Sequence, residues 1–232
     1  MDIYLIAGQS NALGISPVKD LPESFSAADV LIYQASNVHV PHERAIVPVQ
    51  PGLGADGQKF GLEIGIARAF AGKKVGLIKY ASDGTSLYDR WSPGGEDFIG
   101  LKQTFEDGIA AFAERGLKPR VRGMLWMQGE NDASFAEQAA VYKKKLKEFI
   151  SAVRTFADVP FVMGETHPCN PRLPYSAEVN EAKRSAASEM SEVYFVPTDD
   201  LVELIDGYHY TAKNMLELGE RMAKILIENG GL

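Results

Sequence analysis

The sequence predicts an α/β protein, a parallel sheet of about five strands covered by helices on both faces, and three observations predict it. Short apolar runs recur along the chain and stop at glycine and small polar residues, as the buried strands of a parallel sheet do. Between them lie stretches of a dozen or more residues with apolar side chains at helical spacing, long enough for the crossovers that parallel strands need. Of the 232 residues 45% are hydrophobic and 24% charged. Those are ordinary values for one sizeable core, so residues 1–232 are expected to form a single domain.

Ile3-Tyr4-Leu5-Ile6-Ala7 reads as the first buried strand, and Gly8-Gln9-Ser10-Asn11 ends it in a tight turn. Ser10 then stands at the carboxyl edge of the sheet, where ligands bind in open α/β folds. The turn also has a plainer use, because Ser and Asn oxygens accept from free N–H groups at helix starts. A polar stretch through Pro22 and Glu23 reads as a loop, Val30-Leu31-Ile32-Tyr33 as a short strand, and residues 37–59 as an irregular surface region rich in proline and glycine. Residues 61–72 are helical and closed by Gly72 with Lys73-Lys74. Residues 75–81 form a second long buried strand that ends in Ser82-Asp83-Gly84-Thr85-Ser86.

A helix over 97–115 stops at Gly116, and a strand over 121–127 ends in Gln128-Gly129-Glu130-Asn131-Asp132. A long helix from about 134 to 157 carries Tyr142, Leu146, Phe149, Ile150 and Val153 on one stripe. Residues 160–164 form a strand followed by the loop His167-Pro168-Cys169-Asn170-Pro171, residues 175–190 a helix, 193–196 a strand and 211–229 the closing helix. The loops over 16–59 and 167–174 are expected to shape the pocket.

The formal net charge of -7 argues against a nucleic-acid partner, which needs a basic face. Lys143-Lys144-Lys145 lies within a helical pattern and reads as a solvated face. Cys169 is the only cysteine, which excludes an intrachain disulfide and a cysteine-rich metal site and leaves it as a small buried or loop residue. No apolar run reaches the length of a membrane span, and no basic, then apolar, leader precedes the first strand. A cytoplasmic protein without cofactor or metal is expected, or a secreted one if a leader has been removed.

Chemistry concentrates where strands end. A serine hydroxyl becomes a useful nucleophile only beside a base whose tautomer a third group fixes. Four histidines compete for that place. His39 and His42 lie in the irregular region, and His167 has no acid at a helpful spacing. His209 has Asp206 three residues before it, across a turn containing Gly207, a spacing that lets a carboxylate accept from Nδ1–H while Nε2 faces outward. An Asp-Gly pair alone is an ordinary turn. Oxyanion donors are available in the N–H groups of Ser10 and Gly84 and the side-chain amides of Gln128 or Asn131. A carboxylate beside an oxyanion would repel it, so Glu130 is expected to orient loop backbone.

Gly8-Gln9-Ser10-Asn11, Ser82-Asp83-Gly84-Thr85-Ser86, Gln128-Gly129-Glu130-Asn131-Asp132 and Asp206-Gly207-Tyr208-His209 occur in the order of the sequence blocks of SGNH hydrolases. The chain most resembles their carbohydrate-esterase branch with sialate-O-acetylesterase-type domains, some of which act as acetylxylan esterases. The resemblance spans nearly the whole chain and implies a three-layer α/β/α, flavodoxin-like fold and metal-free ester hydrolysis. It implies Ser10 as nucleophile, Asp206 and His209 as the rest of a triad, and Gly84 as an oxyanion donor. The wider superfamily uses the Asn of Gly-x-Asn-Asp, here Asn131, whereas the carbohydrate-esterase branch uses the Gln, here Gln128; the expectation is Gln128, with Asn131 as alternate. Arg90-Trp91 resembles a segment near the site in that branch and is expected to meet the sugar, with a purely structural Trp as the other reading. Gln9, Asn11 and Glu130 are expected to face substrate as well. Ala12 stands where a nucleophile elbow has its second glycine, which disfavours the α/β-hydrolase fold.

The expected function is a serine-dependent carbohydrate O-acetylesterase acting on a small-molecule or oligosaccharide acetyl ester, with no nucleic-acid or membrane partner. The alternatives are an esterase for other small acyl esters and a non-catalytic domain that binds carbohydrate or anions.

Overall fold

The structure is a computed structural model that describes residues 1–22, 29–168 and 170–229. Cys169 and Glu23, placed in loops from the sequence, lie outside the described residues. In chain order the elements are β1 (Asp2–Gly8), α1 (Ser10–Leu13), β2 (Ser16–Pro17), β3 (Val30–Ser36), β4 (Val47–Pro48), β5 (Lys59–Phe60), α2 (Leu62–Ala69), β6 (Val75–Ala81), α3 (Glu96–Glu114), β7 (Arg120–Met127), α4 (Ala136–Ala139), α5 (Tyr142–Val153), β8 (Phe161–Gly164), α6 (Ser176–Glu189), β9 (Val193–Val196) and α7 (Ala212–Asn229).

One sheet of seven strands runs β4-β3-β6-β1-β7-β8-β9, and all its pairings are parallel except that of β4 with β3. The class is the expected α/β one, with more strands than the sequence indicated. The extra edge strand β4 is two residues long and contains Pro48, which cannot donate to a ladder and suits only an edge. β2 and β5 form a separate antiparallel pair inside the stretch read as loop.

Period-two alternation puts each strand in two cores at once. Tyr4 and Ile6 of β1 and Leu125 and Met127 of β7 pack with α2 and α7 on one face. Ile3, Leu5 and Ala7, with Met124 and Trp126, pack with residues of α3, α5 and α6 on the other. The result is three layers, α/β/α. Each large aliphatic side chain so buried contributes about 1.5–3 kcal/mol relative to exposure, so the sheet is fixed well beyond what its ladders alone provide.

β1 lies at the centre, between β6 and β7. From it the chain winds to one side through β3 and β6, then crosses to the other through β7, β8 and β9. Such a reversal opens a crevice at the carboxyl ends of the strands. The long helix expected over 134–157 is divided: a 3-10 turn at Asp132–Ser134, then α4, then α5. Tyr142, where helix resumes, is fully buried and donates its hydroxyl to Gln128, a contact local periodicity does not register.

Candidate active site

Four turns converge on the carboxyl edge. The first follows β1, where Gly8 has φ 143° and a Cβ would stand 1.8 Å from Met127 O, so no other residue fits. Gln9 N–H donates to Met127 O at 2.9 Å, and the chain turns at once into α1. Ser10 is the first helical residue, not the cap; that place is Gln9, and no side-chain cap bond is made. The plainer reading of Ser10 as a capping hydroxyl therefore fails.

The second turn follows β6. Ser82 N–H donates to Gly8 O at 3.0 Å, which ties the two strand ends together. Gly84 has φ 65°, the left-handed region. Among the described residues neither its N–H nor that of Ser10 meets a protein acceptor. The third turn follows β7 and is bound to the others by amides: Gln9 Oε1 accepts from Gly129 N at 3.3 Å and Asn131 N at 3.2 Å, and Asn131 Nδ2 donates to Gly84 O at 2.8 Å. Asp132, wholly buried, accepts from Leu87 N at 2.9 Å, Tyr88 N at 3.0 Å and Gln128 Nε2 at 2.6 Å. Burial pushes its carboxyl up, and those hydrogen bonds oppose the rise.

The fourth turn precedes α7. Asp206 Oδ2 lies 2.7 Å from His209 Nδ1, while Oδ1 accepts from the N–H groups of Tyr208 and His209 at 3.0 and 3.1 Å. Burial pushes the Asp206 carboxyl up, but the hydrogen bonds from His209 and these amides outweigh it and leave it below its usual value. A carboxylate only accepts, so Nδ1 carries the proton and Nε2 is left as the acceptor. The turn is held to the rest of the edge by Asn11, which donates to Tyr208 O at 3.2 Å and accepts from Tyr210 N at 3.3 Å. Asn170 Nδ2 adds a bond to Gly207 O at 2.5 Å.

These turns enclose a cavity of about 500 Å³ lined by Gln9, Ser10, Asp83, Gly84, Glu130, Asn131, Ser134, Phe135, Arg172, Tyr208 and His209. The edge thus brings together Ser10, Gly84, Asn131 and His209, with Asp206 behind the imidazole and Gln9 and Glu130 in the wall. No hydrogen bond joins Ser10 to His209 among the described residues; in free enzymes such contacts are commonly long and shorten around substrate.

Four sequence expectations need correction. Gln128 is wholly buried and does not line the cavity; its Nε2 is spent on Asp132, Gln9 and Thr85, and its Oε1 accepts from Tyr142. Asn131, the alternate, reaches the cavity with only one of its two amide hydrogens engaged. Asn11, 1% exposed, is a latch between turns, holding Glu130 Oε1 at 2.6 Å as well as the His209 turn. Trp91 is wholly buried against Trp126 and Phe149 and donates to Thr85 Oγ1 at 2.8 Å, so no face is open to a sugar. Arg90 is turned to Asp97 and Glu96. Of the other histidines, His39 pairs with Glu43 at the surface, and neither His42 nor His167 lines the cavity.

Two cavity residues were not singled out from the sequence: Phe135, nearly half exposed, and Arg172, which lies in the 167–174 loop expected to shape the pocket and has its guanidinium 5.2 Å over the Tyr208 ring. For Phe135 the signal in the sequence was its nearness to the Gln128–Asp132 turn.

A parallel α/β/α sandwich with a hydroxyl, an imidazole–carboxylate pair and free backbone amides around one cavity at its carboxyl edge has the parts that acyl-ester chemistry requires. The chain belongs to the carbohydrate esterase, sialic acid-specific acetylesterase family, whose model matches residues 1–228. No curated protein matches its sequence. Its fold is shared with a protein from Arabidopsis thaliana at TM-score 0.80 and 20% identity, over 99% of this chain and 98% of that one. A carbohydrate acetylesterase from Xanthomonas citri superposes at TM-score 0.70 and 16% identity, over 99% of this chain but 56% of the other. A carbohydrate acetylesterase family member from Sinorhizobium meliloti superposes at 0.60 and 14%, over the whole of both. Among the described residues no helix is long and apolar enough to cross a membrane.

Proposed function

We propose that the protein is a serine-dependent carbohydrate O-acetylesterase, with acetate on a sugar hydroxyl as its substrate. Ser10 Oγ attacks the acetyl carbonyl while His209 Nε2 takes the hydroxyl proton, and Asp206 steadies the imidazolium. The N–H groups of Ser10 and Gly84 and the free amide hydrogen of Asn131 hold the oxyanion. The C–O bond to the sugar breaks, His209 protonates the leaving alkoxide, and water, activated by the same imidazole, releases acetate and regenerates Ser10. One domain carries every step.

The observation that carries this reading is the cavity lined by both Ser10 and His209, with Asp206 Oδ2 2.7 Å behind the imidazole and two unclaimed amides beside it. Acetate release from acetylated xylan fragments and from O-acetylated sialic acid tests it. The expected result is release from at least one of them, abolished in Ser10→Ala at unchanged melting temperature. Full turnover by Ser10→Ala would refute the assignment. A folded protein that binds these sugars, releases no acetate and leaves Ser10 unlabelled by an organophosphonate would be a binding domain instead, and hydrolysis confined to longer acyl esters would move the substrate class.

A further inference from the structure

Behind the Ser10 turn lies a buried ion pair that the proposed reaction does not touch. Lys79 of β6 is 1% exposed and Glu63 of α2 0%, with Nζ 2.8 Å from Oε2. An ammonium has three donors. Here they reach Glu63 Oε2, Leu13 O at 2.8 Å and Leu53 O at 3.3 Å. Leu13 is the last residue of α1, the helix whose first residue is Ser10. Glu63 in turn accepts from Gly61 N at 2.7 Å, and Gly61 packs so closely on Gly14 that a Cβ there would stand 2.9 Å from the Gly14 Cα.

A helix of four residues is a single turn and cannot sustain itself. The carbonyls at its end have no partner within the helix, and water does not reach this one. Two charges have been taken out of water to supply that partner, although apolar residues of similar volume often serve stability as well or better. What apolar side chains cannot do is fix Leu13 O in one place.

We propose that Lys79 and Glu63 are positioning residues for Ser10: the pair clamps the carboxyl end of α1, and so sets where Ser10 Oγ stands relative to His209 and the Gly84 N–H. The inference rests on the reading of Ser10 as nucleophile. It goes beyond that reading by assigning a role in turnover to two residues that never meet substrate.

The test compares wild type, Lys79→Met/Glu63→Gln, which removes both charges at similar volume, and Leu226→Ala, a core truncation packed against Gly123 towards the other end of β7. Each is measured for melting temperature, kcat and KM on an aryl acetate, and the rate at which an organophosphonate labels Ser10. In the double variant labelling and kcat are expected to fall roughly 10- to 100-fold with KM held, the signature of a misplaced nucleophile. Leu226→Ala is expected to lower the melting temperature and keep both rates. Wild-type rates in the folded double variant, or equal losses in Leu226→Ala, overturn the proposal. Should the double variant fail to fold, Glu63→Gln alone decides: slower labelling at held KM supports the clamp, and wild-type labelling overturns it. A wild-type protein that does not label at Ser10 overturns the esterase reading itself, a result separable from the others.

Discussion

The two sides of the cavity are built by different means. On the Ser10 side the side chains that set the geometry are out of water: Gln9 is 4% exposed, and Gln128 and Asp132 are wholly buried, each with several partners. On the His209 side the acid and base sit three residues apart on a surface turn, with side chains 49% and 19% exposed. The difference follows from chain separation. Ser10, Gly84 and Asn131 come from three strand ends dozens of residues apart, so their mutual positions depend on a satisfied buried network. Asp206 and His209 orient one another locally, through one turn whose amides the same carboxylate accepts. Precision across the sheet requires burial; precision within a turn does not.

Removing one group from each side separates the two constructions. His209→Ala is expected to lower kcat by about 10³- to 10⁴-fold, a barrier increase of about 4–5.5 kcal/mol. Stability should change by less than about 1 kcal/mol, because the side chain is partly exposed and its one ring partner stays solvated. Steady-state kinetics and urea unfolding read the two. Asp132→Ala is expected to act first on stability. It strands the N–H groups of Leu87 and Tyr88 and takes the shortest acceptor from Gln128, for a stability loss on the order of 3–5 kcal/mol. A variant that unfolds at wild-type urea concentration would deny that the Ser10 side is held by this network.

A buried cation sharpens the contrast through pH. Lys183 of α6 is wholly buried and donates to Gly164 O and Thr166 Oγ1, both at 2.8 Å, close behind Gly129. Burial pulls it down from 10.5 to about 8, against the charges of Glu130, Glu165 and Asp132. The folded state therefore binds fewer protons than the unfolded chain between about pH 8 and 10.5, and in that window stability contributed by this site rises with pH. Below pH 8 both states are protonated and the destabilisation is constant. The difference in unfolding free energy between wild type and Lys183→Met should shift in favour of wild type by about 2–3 kcal/mol across the window. A difference flat in pH would mean that the site is hydrated.

How much of this was legible depended on whether the physics was local. Strands β1, β6 and β7, their helical crossovers and the Asp206–His209 pair were readable, since period, glycine stops and an i, i+3 spacing are sequence properties. The division of the helix before Tyr142 was not, nor was the choice between Gln128 and Asn131. Both turn on which neighbour consumes a hydrogen bond, and Tyr142 of α5 reaches Gln128 only once the layers have packed. Trp91 misled for the same reason. An indole beside a site block reads equally as platform or core, and Trp126 of β7 decides it.

Asn11 joins the two sides, and its removal is the smallest and most discriminating of these effects. Its amide holds Glu130 Oε1 at 2.6 Å and Tyr208 O at 3.2 Å, and its carbonyl accepts from Tyr210 N at 3.3 Å. Asn11→Ala is expected to lose about 1–2 kcal/mol of stability, less than the bond count implies because the Glu130 wall can admit water from the cavity. If the His209 turn depends on the Ser10 side for its distance but not for its internal geometry, kcat falls about tenfold while the NMR resonance of the His209 Nδ1–H proton bonded to Asp206 stays in place. The imidazole then still has Asp206 behind it and merely stands further from Ser10. A displaced Nδ1–H resonance in Asn11→Ala would mean instead that the Asp206–His209 pair is set by the latch, and that the two sides are one network.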